Sequence, residues 1–274
     1  MAVAKSKSGT TPQVVALAHY TNLAGLLGII NSGQLWASNV AFLNDREELL
    51  HGVKCARRAL STILKDTKLI QWRHAIAEVV NEIEDGRLPN TYAACLCEKS
   101  DLLSQWRGYG GREQGVCLVF DPAAIDVAGL GKRAFLSPVQ YGLVKGKMTL
   151  REGLRARLLA ISDDFDEMDE DQRLDKVYDA LSELIPRFKH IGFEGELEWR
   201  LVVQHATLRR SVSFRPNGNV LVPYIKLPVD LYSLKYVRIG PGADLDLTER
   251  SIALLLEARG LDVPIRRSRV PFRS

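Results

Sequence analysis

The 274-residue sequence lacks a hydrophobic run long enough to span a membrane, which takes about 20 apolar residues. Its first segment, MAVAKSKSGTTPQ, has lysines but no apolar stretch after them, so we interpret residues 1–12 as a flexible tail rather than a secretory signal. Cysteine is also scarce, with four residues in the chain. These absences argue against a membrane protein and a secreted disulfide scaffold, and they predict a cytoplasmic protein.

The cysteines lack the spacing of a metal site. Cys95 and Cys97 lie two residues apart in an apolar run, which places both on one face of a predicted strand, and no second pair follows. Cys117 lies in another apolar run. We therefore expect these three to be buried thiols, with neither a disulfide nor bound zinc.

Several nucleotide and hydrolase motifs are missing. There is no P-loop, no G-x-S-x-G turn and no H-E-x-x-H helix. The glycine-rich GYGGREQG follows a predicted helix and precedes a predicted strand, which reverses the order of a Rossmann loop. The net charge of +4 permits a phosphate-bearing partner without requiring one.

The order of elements predicts an α+β fold, because the strands come in runs rather than in strict alternation with helices. AACLC and VCLVF are apolar on both faces, so we expect them to be neighbouring central strands, with LEWRLVV in the same core. The prediction is a single domain over residues 1–274, with a mixed, mostly antiparallel central sheet and flanking helices. A helical insertion is expected at about 146–190.

Two loop predictions concern helix starts. Asn44 and Asp45 fit a turn before a helix, or alternatively a gating loop over a ligand. Asp246 with Glu249 fits a capping box.

Polar residues interrupt three otherwise apolar segments: His19-Tyr20-Thr21, Ser104 to Tyr109, and Glu196-Leu197-Glu198. Alternation along a strand would place Glu196 and Glu198 on one face, which Arg200 continues. Fully buried glutamates are rare unless they are paired. The alternative is a half-exposed strand with an ion pair between Arg200 and one of these glutamates.

The order of the motifs is similar to that of a widespread uncharacterised bacterial family. The segments that carry the resemblance are LAHYT, LWAS, FLNDREE, ACLCEKSDLLSQWRGYGGREQGVCLVFD, ELEWRLV and VRIGPGA. Members open with L-x-H-Y-T, carry W-x-x-Y before G-V-x-L-x-F, and end with E-W-R-L. The resemblance extends from about Leu17 to Gly242 and implies no activity, since the family is defined by sequence.

The same segments resemble ADP-ribosyltransferases of the histidine–tyrosine–glutamate type. LAHYT resembles their first core strand, YAACLCEKSDLLSQWRGYG their strand and tyrosine-bearing helix, and ELEW their late glutamate before an aromatic residue. Trp106 and Tyr109 both fit the tyrosine position, and the long insertion before Glu198 departs from the pattern. The resemblance implies a split β-core and NAD as the substrate.

The resemblance also implies the catalytic roles. Cleaving the nicotinamide–ribose bond develops positive charge on the sugar, as in glycoside cleavage. Glu198 would stabilise that charge at the ribose 2′-hydroxyl, and Glu196 would orient the acceptor. No metal ion is expected.

The cofactor-binding candidates are also implied by the resemblance. His19, with Thr21, would hold the adenosine ribose, while Tyr109 or Trp106 would stack on nicotinamide and Arg107 would bind the pyrophosphate. Tyr20, Ser104 and Arg200 complete the set.

These residues have structural alternatives. His19 fits a strand-end histidine bonded to a backbone carbonyl, and Trp106 fits core packing. Tyr20 and Thr21 fit simple strand propensity. Arg107 fits an exposed side chain with a packed stem.

The resemblance therefore implies an NAD-dependent ADP-ribosyltransferase that modifies a protein or a nucleic acid, in a toxin or phage-defence setting. A non-catalytic module that binds nucleic acid or protein is the alternative. A metal-independent nuclease, with His19 and Glu198 as acid and base, is a third possibility. An enzyme requires His19, Tyr109 and Glu198 to converge in one cleft.

Arginines near these clusters are expected to serve the phosphates of the cofactor. We expect at least one of Arg107, Arg112 and Arg200 to face the cleft. A second positive surface, from Arg266, Arg267 and Arg269, would favour a nucleic-acid acceptor.

Overall fold

The computed structural model describes residues 14–43, 46–63, 65–85, 91–109, 113–125, 127, 129–130, 134–204 and 212–271. The predicted tail, Asn44, Asp45 and Arg112 lie outside the described residues. The α-helices of the described part are α1 (Leu23–Ser32), α2 (Arg46–Ile63), α3 (Arg73–Glu84), α4 (Leu103–Tyr109), α5 (Leu143–Leu159), α6 (Glu170–Leu184) and α7 (Leu245–Glu257). Its strands are β1 (Leu17–Asn22), β2 (Gln34–Asn39), β3 (Thr91–Cys97), β4 (Gly115–Phe120), β5 (Ala134–Pro138), β6 (Gln140–Tyr141), β7 (Phe188–Lys189), β8 (Glu198–Gln204), β9 (Ser213–Asn217), β10 (Val220–Pro228), β11 (Leu234–Ile239) and β12 (Ile265–Arg267).

A mainly antiparallel sheet organises the described chain and splits at β3. One side runs in the order β12-β11-β4-β1-β3, and the other runs from β3 through β2 and β10 to β9. Cys97 at one end of β3 pairs with Ala18 of β1, whereas Ala93 nearer the other end pairs with Ser38 of β2. The opposite edge of β3 pairs along its whole length with β8, which pairs with β5. The predicted α+β fold with a mostly antiparallel sheet is thus confirmed.

The predicted adjacency of AACLC and VCLVF is wrong. These segments form the central strands β3 and β4, but β1 lies between them and pairs with both. The reason is that Leu17, Ala18 and Tyr20 of β1 are themselves buried, so β1 also belongs to the middle of the sheet. LEWRLVV joins the same core as β8.

Helices cover the β4 region of the sheet on opposite faces. Leu26 of α1 and Ile252 of α7 pack with Val116 and Leu118 on one face, whereas Trp106 of α4 packs against Cys117 on the other face. Asn22 caps α1 by accepting a hydrogen bond from the Gly25 backbone. The predicted capping box of α7 is wrong, since Asp244 is its N-cap, and Asp246 and Glu249 instead bind Arg267.

The predicted helical insertion corresponds to α5 and α6. They pack with α2 and α3 around a core of their own, in which Trp72, Leu154 and Phe188 are fully buried. The insertion begins after β6 and ends at β7, and these strands form a separate two-stranded sheet. These two short strands pair in parallel, Gln140 with Phe188 and Tyr141 with Lys189, so the start and the end of the helical segment lie side by side.

Gly240, which follows β11, allows α4 to pack closely on the sheet. A Cβ atom at this position would lie 2.8 Å from Cε3 of Trp106 and 3.0 Å from the Gly115 carbonyl oxygen. We expect Gly240→Ala to lower the free energy of unfolding by about 1–3 kcal/mol, because the indole or the strand must shift. The control is Gly28→Ala in α1, where the added methyl group has no heavy atom within 4 Å apart from its chain neighbours and the backbone of its own helix. It should be neutral or stabilising by up to about 1 kcal/mol. Equal losses in urea unfolding of both variants would contradict this packing argument.

Candidate functional site

Glu198, the first residue of β8, lies at the centre of a buried ion-pair cluster. Its side chain is 6% exposed. Arg200 Nε donates to Oε1 at 2.6 Å and Lys189 Nζ donates to Oε2 at 2.9 Å. Arg200 also donates to the Pro186 carbonyl, and the Glu198 backbone N–H donates to the hydroxyl oxygen of Tyr141 at 2.8 Å. The carboxylate is therefore fixed from two sides by cations.

These cations determine the protonation state of Glu198. Burial alone would raise the pKa of Glu198, but the charges and hydrogen bonds of Arg200 and Lys189 outweigh burial and lower the pKa to about 2. The group is ionised across the physiological pH range. The sequence analysis considered an ion pair between Arg200 and one of the two glutamates on a half-exposed strand. The structure contains this ion pair between Arg200 and Glu198, but both side chains are buried.

Glu196 reaches the same cluster by a different route from the one predicted. It ends a 3-10 helix, Ile191–Glu196, and Leu197 then adopts the left-handed conformation with φ of 49°. The prediction of a shared strand face with Glu198 is thus wrong, because β8 begins after this turn. Lys189 Nζ nevertheless donates to Glu196 Oε2 at 2.7 Å, so one ammonium bridges the two carboxylates. Glu196 keeps 28% of its side chain exposed.

A narrow cavity lies between β1, β3, α4 and the start of β8. Its lining residues are Ala18, Tyr20, Cys95, Leu96, Cys97, Gln105, Tyr109, Glu196 and Glu198. The free volume of about 10 Å³ is close to the minimum that admits a single water molecule. The cavity therefore contains residues of all three polar clusters of the sequence, with Tyr20 as the lining residue of the first cluster.

Gln105 is a lining residue that the sequence analysis missed. Its side chain is only 8% exposed, and its amide has no hydrogen-bond partner among the described residues. The amide atoms keep some contact with solvent, so they can bind a water molecule or a ligand in the cavity. Its spacing of four residues from Tyr109 in α4 was an available signal, since i and i+4 share a helix face.

Tyr109 forms the entrance of the cavity. It is 39% exposed, more than any other lining residue. Burial of its hydroxyl raises the pKa of Tyr109 far above its usual value, and the nearby Cys95 and Glu198 raise it further. The phenol therefore remains a neutral hydrogen-bond donor beside the carboxylates.

His19 does not line the cavity. Alternation along β1 directs it to the face opposite Ala18, and therefore opposite Glu198. Its Nδ1 donates at 3.0 Å to the carbonyl of Cys95, on the part of the β3 edge that lies between the β1 and β2 pairings. Burial lowers the pKa of His19, so the ring is neutral. The structure thus brings Tyr109 and Glu198 together but leaves His19 at the split of the sheet.

Tyr20 and Trp106 fix the start of α4. The Tyr20 hydroxyl donates to the Lys99 carbonyl at 2.8 Å and accepts from the Leu102 backbone at 3.0 Å. The rings of Tyr20 and Trp106 meet edge to face at 4.7 Å, and Trp106 Nε1 donates to Asp101 at 2.9 Å. Trp106 therefore packs in the core, and Tyr109 is the aromatic residue at the cavity.

The other predicted cofactor ligands lie away from the cavity. Thr21 packs against Gly25, where an added Cβ would overlap its hydroxyl. Ser104 and Arg107 are exposed on α4, and Arg200 is buried behind Glu198. Arg107 and Arg200 are the described members of the set of arginines that was expected to face the cleft. Neither of them lines the cavity. The cation at the carboxylates is Lys189, which sequence reasoning missed because it lies nine residues before Glu198 in another element.

All four cysteines are free thiols in the structure. Cys97 and Cys117 are buried as predicted, whereas Cys95 is half-buried because it faces the cavity. Burial raises the pKa of Cys97 to about 11, and its Sγ donates to the Glu196 carbonyl. Because the thiolate is the reactive form, Cys97 is chemically inert at neutral pH.

Residues with metal-ligand geometry occur elsewhere. Within the described part of the chain, the side chains of His74, Glu78 and Glu170 have ligand atoms within 4.8 Å of one another. This trio is on the surface of α3 and α6, and no part of it lines the cavity.

One family comparison includes part of the cavity lining. Residues 105–201 match the family model described as Protein of unknown function (DUF2971). The DUF2971 match begins at Gln105 and contains Tyr109, Lys189, Glu196 and Glu198, and it leaves out β1 with His19. No curated protein and no solved structure matches the chain. Helices that are both long and apolar enough to span a membrane are absent from the described residues.

Proposed function

We propose that the protein is an NAD-dependent ADP-ribosyltransferase whose carboxylates act at the cavity beneath Tyr109. The observation that carries the proposal is the fixed ionisation of Glu198. Cleavage of the nicotinamide–ribose bond passes through an oxocarbenium-like state with positive charge on the sugar. A preorganised carboxylate that stays charged stabilises such a state without a proton transfer.

The same observation argues against the nuclease alternative. A general acid or base works best with a pKa near the operating pH, whereas the pKa of Glu198 is about 2. His19 and Glu198 also lie on opposite faces of the sheet, so they do not form an acid–base pair across one substrate.

The architecture gives further support. The sheet splits at β3, where β1 and β2 share one strand edge, and a split β-core is what the resemblance to ADP-ribosyltransferases implies. His19 lies at that split with Nε2 unpartnered within the described residues. Because His19 points to the face opposite Glu198, the proposal gives it no contact with the NAD molecule on which Glu198 acts.

The lining residues suggest how nicotinamide would be held. The carboxamide of nicotinamide matches the unpartnered amide of Gln105, which donates and accepts hydrogen bonds. Tyr109 is placed to stack on the ring, and Glu196, with Oε1 unpartnered among the described residues, faces the acceptor. Because the cavity admits only about one water molecule, Tyr109 must turn outwards when the ring enters.

The direct test is to incubate the protein with NAD labelled on the adenine ring, in the presence of cell extract, RNA or DNA. We expect release of free nicotinamide and transfer of label to one acceptor. Well-folded protein that releases no nicotinamide in any mixture would overturn the proposal and favour a binding module.

Gln105→Leu separates a ligand-binding role from a structural one. We expect an unchanged or raised Tm, because the buried amide makes no hydrogen bond within the described protein that the variant could lose. The KM for NAD should rise about tenfold, the equivalent of one hydrogen bond of roughly 1.4 kcal/mol. Tyr232→Ala, at an exposed side chain outside the cavity, is the control. A lower Tm with an unchanged KM would assign Gln105 to the fold alone.

A further inference from the structure

A basic pocket lies at the β12 end of the sheet, on the same face as α4. Its lining residues are Asp101, Arg238, Arg266, Arg267, Ser268 and Arg269, and its volume is about 590 Å³. Arg238 and Arg266 are direct neighbours across β11 and β12, so their side chains share one face. Cys117, beneath Trp106, pairs with Arg238 and places α4 beside the pocket.

Two guanidinium groups of this pocket are not neutralised. The carboxylate of Asp101 already accepts hydrogen bonds from Trp106 Nε1, the Ser268 hydroxyl and the Arg269 backbone N–H. Arg238 lies 3.6 Å from the same carboxylate, and Arg267 pairs with carboxylates of α7. For the side chains of Arg266 and Arg269, the described residues provide no carboxylate partner.

Two of these arginines, Arg266 and Arg238, are held in place by neighbouring groups. The Arg266 guanidinium lies 3.9 Å from the centre of the Tyr236 ring. Arg238 donates to the Ser100 hydroxyl and to the Arg267 carbonyl. Because these side chains are already ordered, an anion loses less free energy in fixing them.

The chemistry of the pocket fits a phosphate group. Guanidinium groups bind phosphate oxygens in a bidentate manner, and the pocket is lined by four arginines. Among the described residues, Arg266 covers one face of the nearby Tyr236 ring, so that face is not available for stacking on a base. We infer that this pocket binds the phosphodiester backbone of a nucleic acid.

The position of the pocket relates it to the cavity. Glu198, Cys97, Ala18, Val119 and Tyr236 form one continuous row of paired residues across five strands. Four steps of about 4.8 Å separate Glu198 from Tyr236, so the two sites lie roughly 20 Å apart on one face. The inference that nucleic acid is the acceptor of ADP-ribose rests on the proposed transferase function. The inference that the pocket binds a phosphodiester backbone does not depend on that function.

The test measures binding of a labelled 20-nucleotide single-stranded RNA to the full chain by fluorescence anisotropy, between 50 and 200 mM salt. The double variant Arg266→Ala/Arg269→Ala should bind about tenfold more weakly at 50 mM salt. Its log–log salt dependence should be less steep by about 1.4, because each phosphate contact to a single strand contributes about 0.7. The control, Arg250→Ala/Arg259→Ala, removes the same charge in and just after α7, on the opposite face, and should change affinity less than twofold.

Three results would overturn the inference. Equal losses in both double variants would indicate net charge rather than this pocket. No RNA binding by the wild type, or binding of inorganic phosphate or ADP-ribose alone, would exclude a nucleic-acid backbone as the ligand. Nicotinamide release is measured on the same samples, so RNA binding without release would contradict the transferase proposal and leave the pocket assignment standing.

Discussion

Replacing Arg200 by methionine is expected to lower the free energy of unfolding by about 3–5 kcal/mol, because the substitution removes one partner of a buried ion pair. Glu198 would keep Lys189 but lose its 2.6 Å hydrogen bond, and the Pro186 carbonyl would lose its donor. Urea unfolding followed by tryptophan fluorescence measures the change.

Arg155→Met is the matched control for this substitution. Arg155 pairs with Asp66 at a comparable distance of 2.8 Å, but both side chains are partly exposed. Its loss should cost less than about 1 kcal/mol, because water screens and replaces such pairs. Similar losses in the two variants would contradict the claim that burial makes the Glu198 cluster stabilising.

The cluster also predicts how stability depends on pH. The pKa of Glu198 is lowered from its usual value near 4.5 to about 2 in the folded protein. The stabilisation is therefore fully present above pH 4.5 and is lost as the pH falls towards 2. The Arg200→Met variant should show a smaller loss than the wild type across this window.

Replacing Glu198 by glutamine is expected to lower the turnover of NAD by about 10²–10³-fold, as is typical when one preorganised charge-stabilising group is removed. Glutamine keeps the size of the side chain but removes the negative charge that would face the sugar. Nicotinamide release under saturating NAD measures the effect, with NAD binding measured separately by calorimetry.

This variant also leaves Lys189 and Arg200 without their shared carboxylate, so its Tm should fall. Rates must be compared at a temperature where wild type and variant are both folded. Glu194→Gln, in the exposed part of the same 3-10 helix, is the control and should retain full turnover. Wild-type turnover in folded Glu198→Gln would remove Glu198 from the proposed mechanism.

Local patterns in the sequence predicted local structure well. AACLC, VCLVF and LEWRLVV were predicted as core strands from their own apolar residues, and they form β3, β4 and β8. The neighbours of a strand depend on distant segments, which explains why the insertion of β1 between β3 and β4 was missed.

The site was predicted only in part, because some of its contacts also depend on distant segments of the chain. Glu198 and Tyr109 were marked by unusual residues in apolar surroundings, and they do share a cavity. The left-handed Leu197 carries no sequence signal, since it is not a glycine or an asparagine. Lys189 reaches Glu198 only because β7 returns beside β6, and that pairing depends on the whole helical segment between them.

The parallel pairing of β6 with β7 has a consequence for how such a chain can diverge. Tyr141, at the point where the helical segment departs, and Lys189, at the point where it returns, both touch Glu198. The helices between them act as a loop whose ends are fastened together at the carboxylate, and lengthening a closed loop costs little free energy. Descendants could therefore gain, lose or exchange whole helices here, and acquire new surfaces, while Tyr141, Lys189 and Glu198 stay in contact.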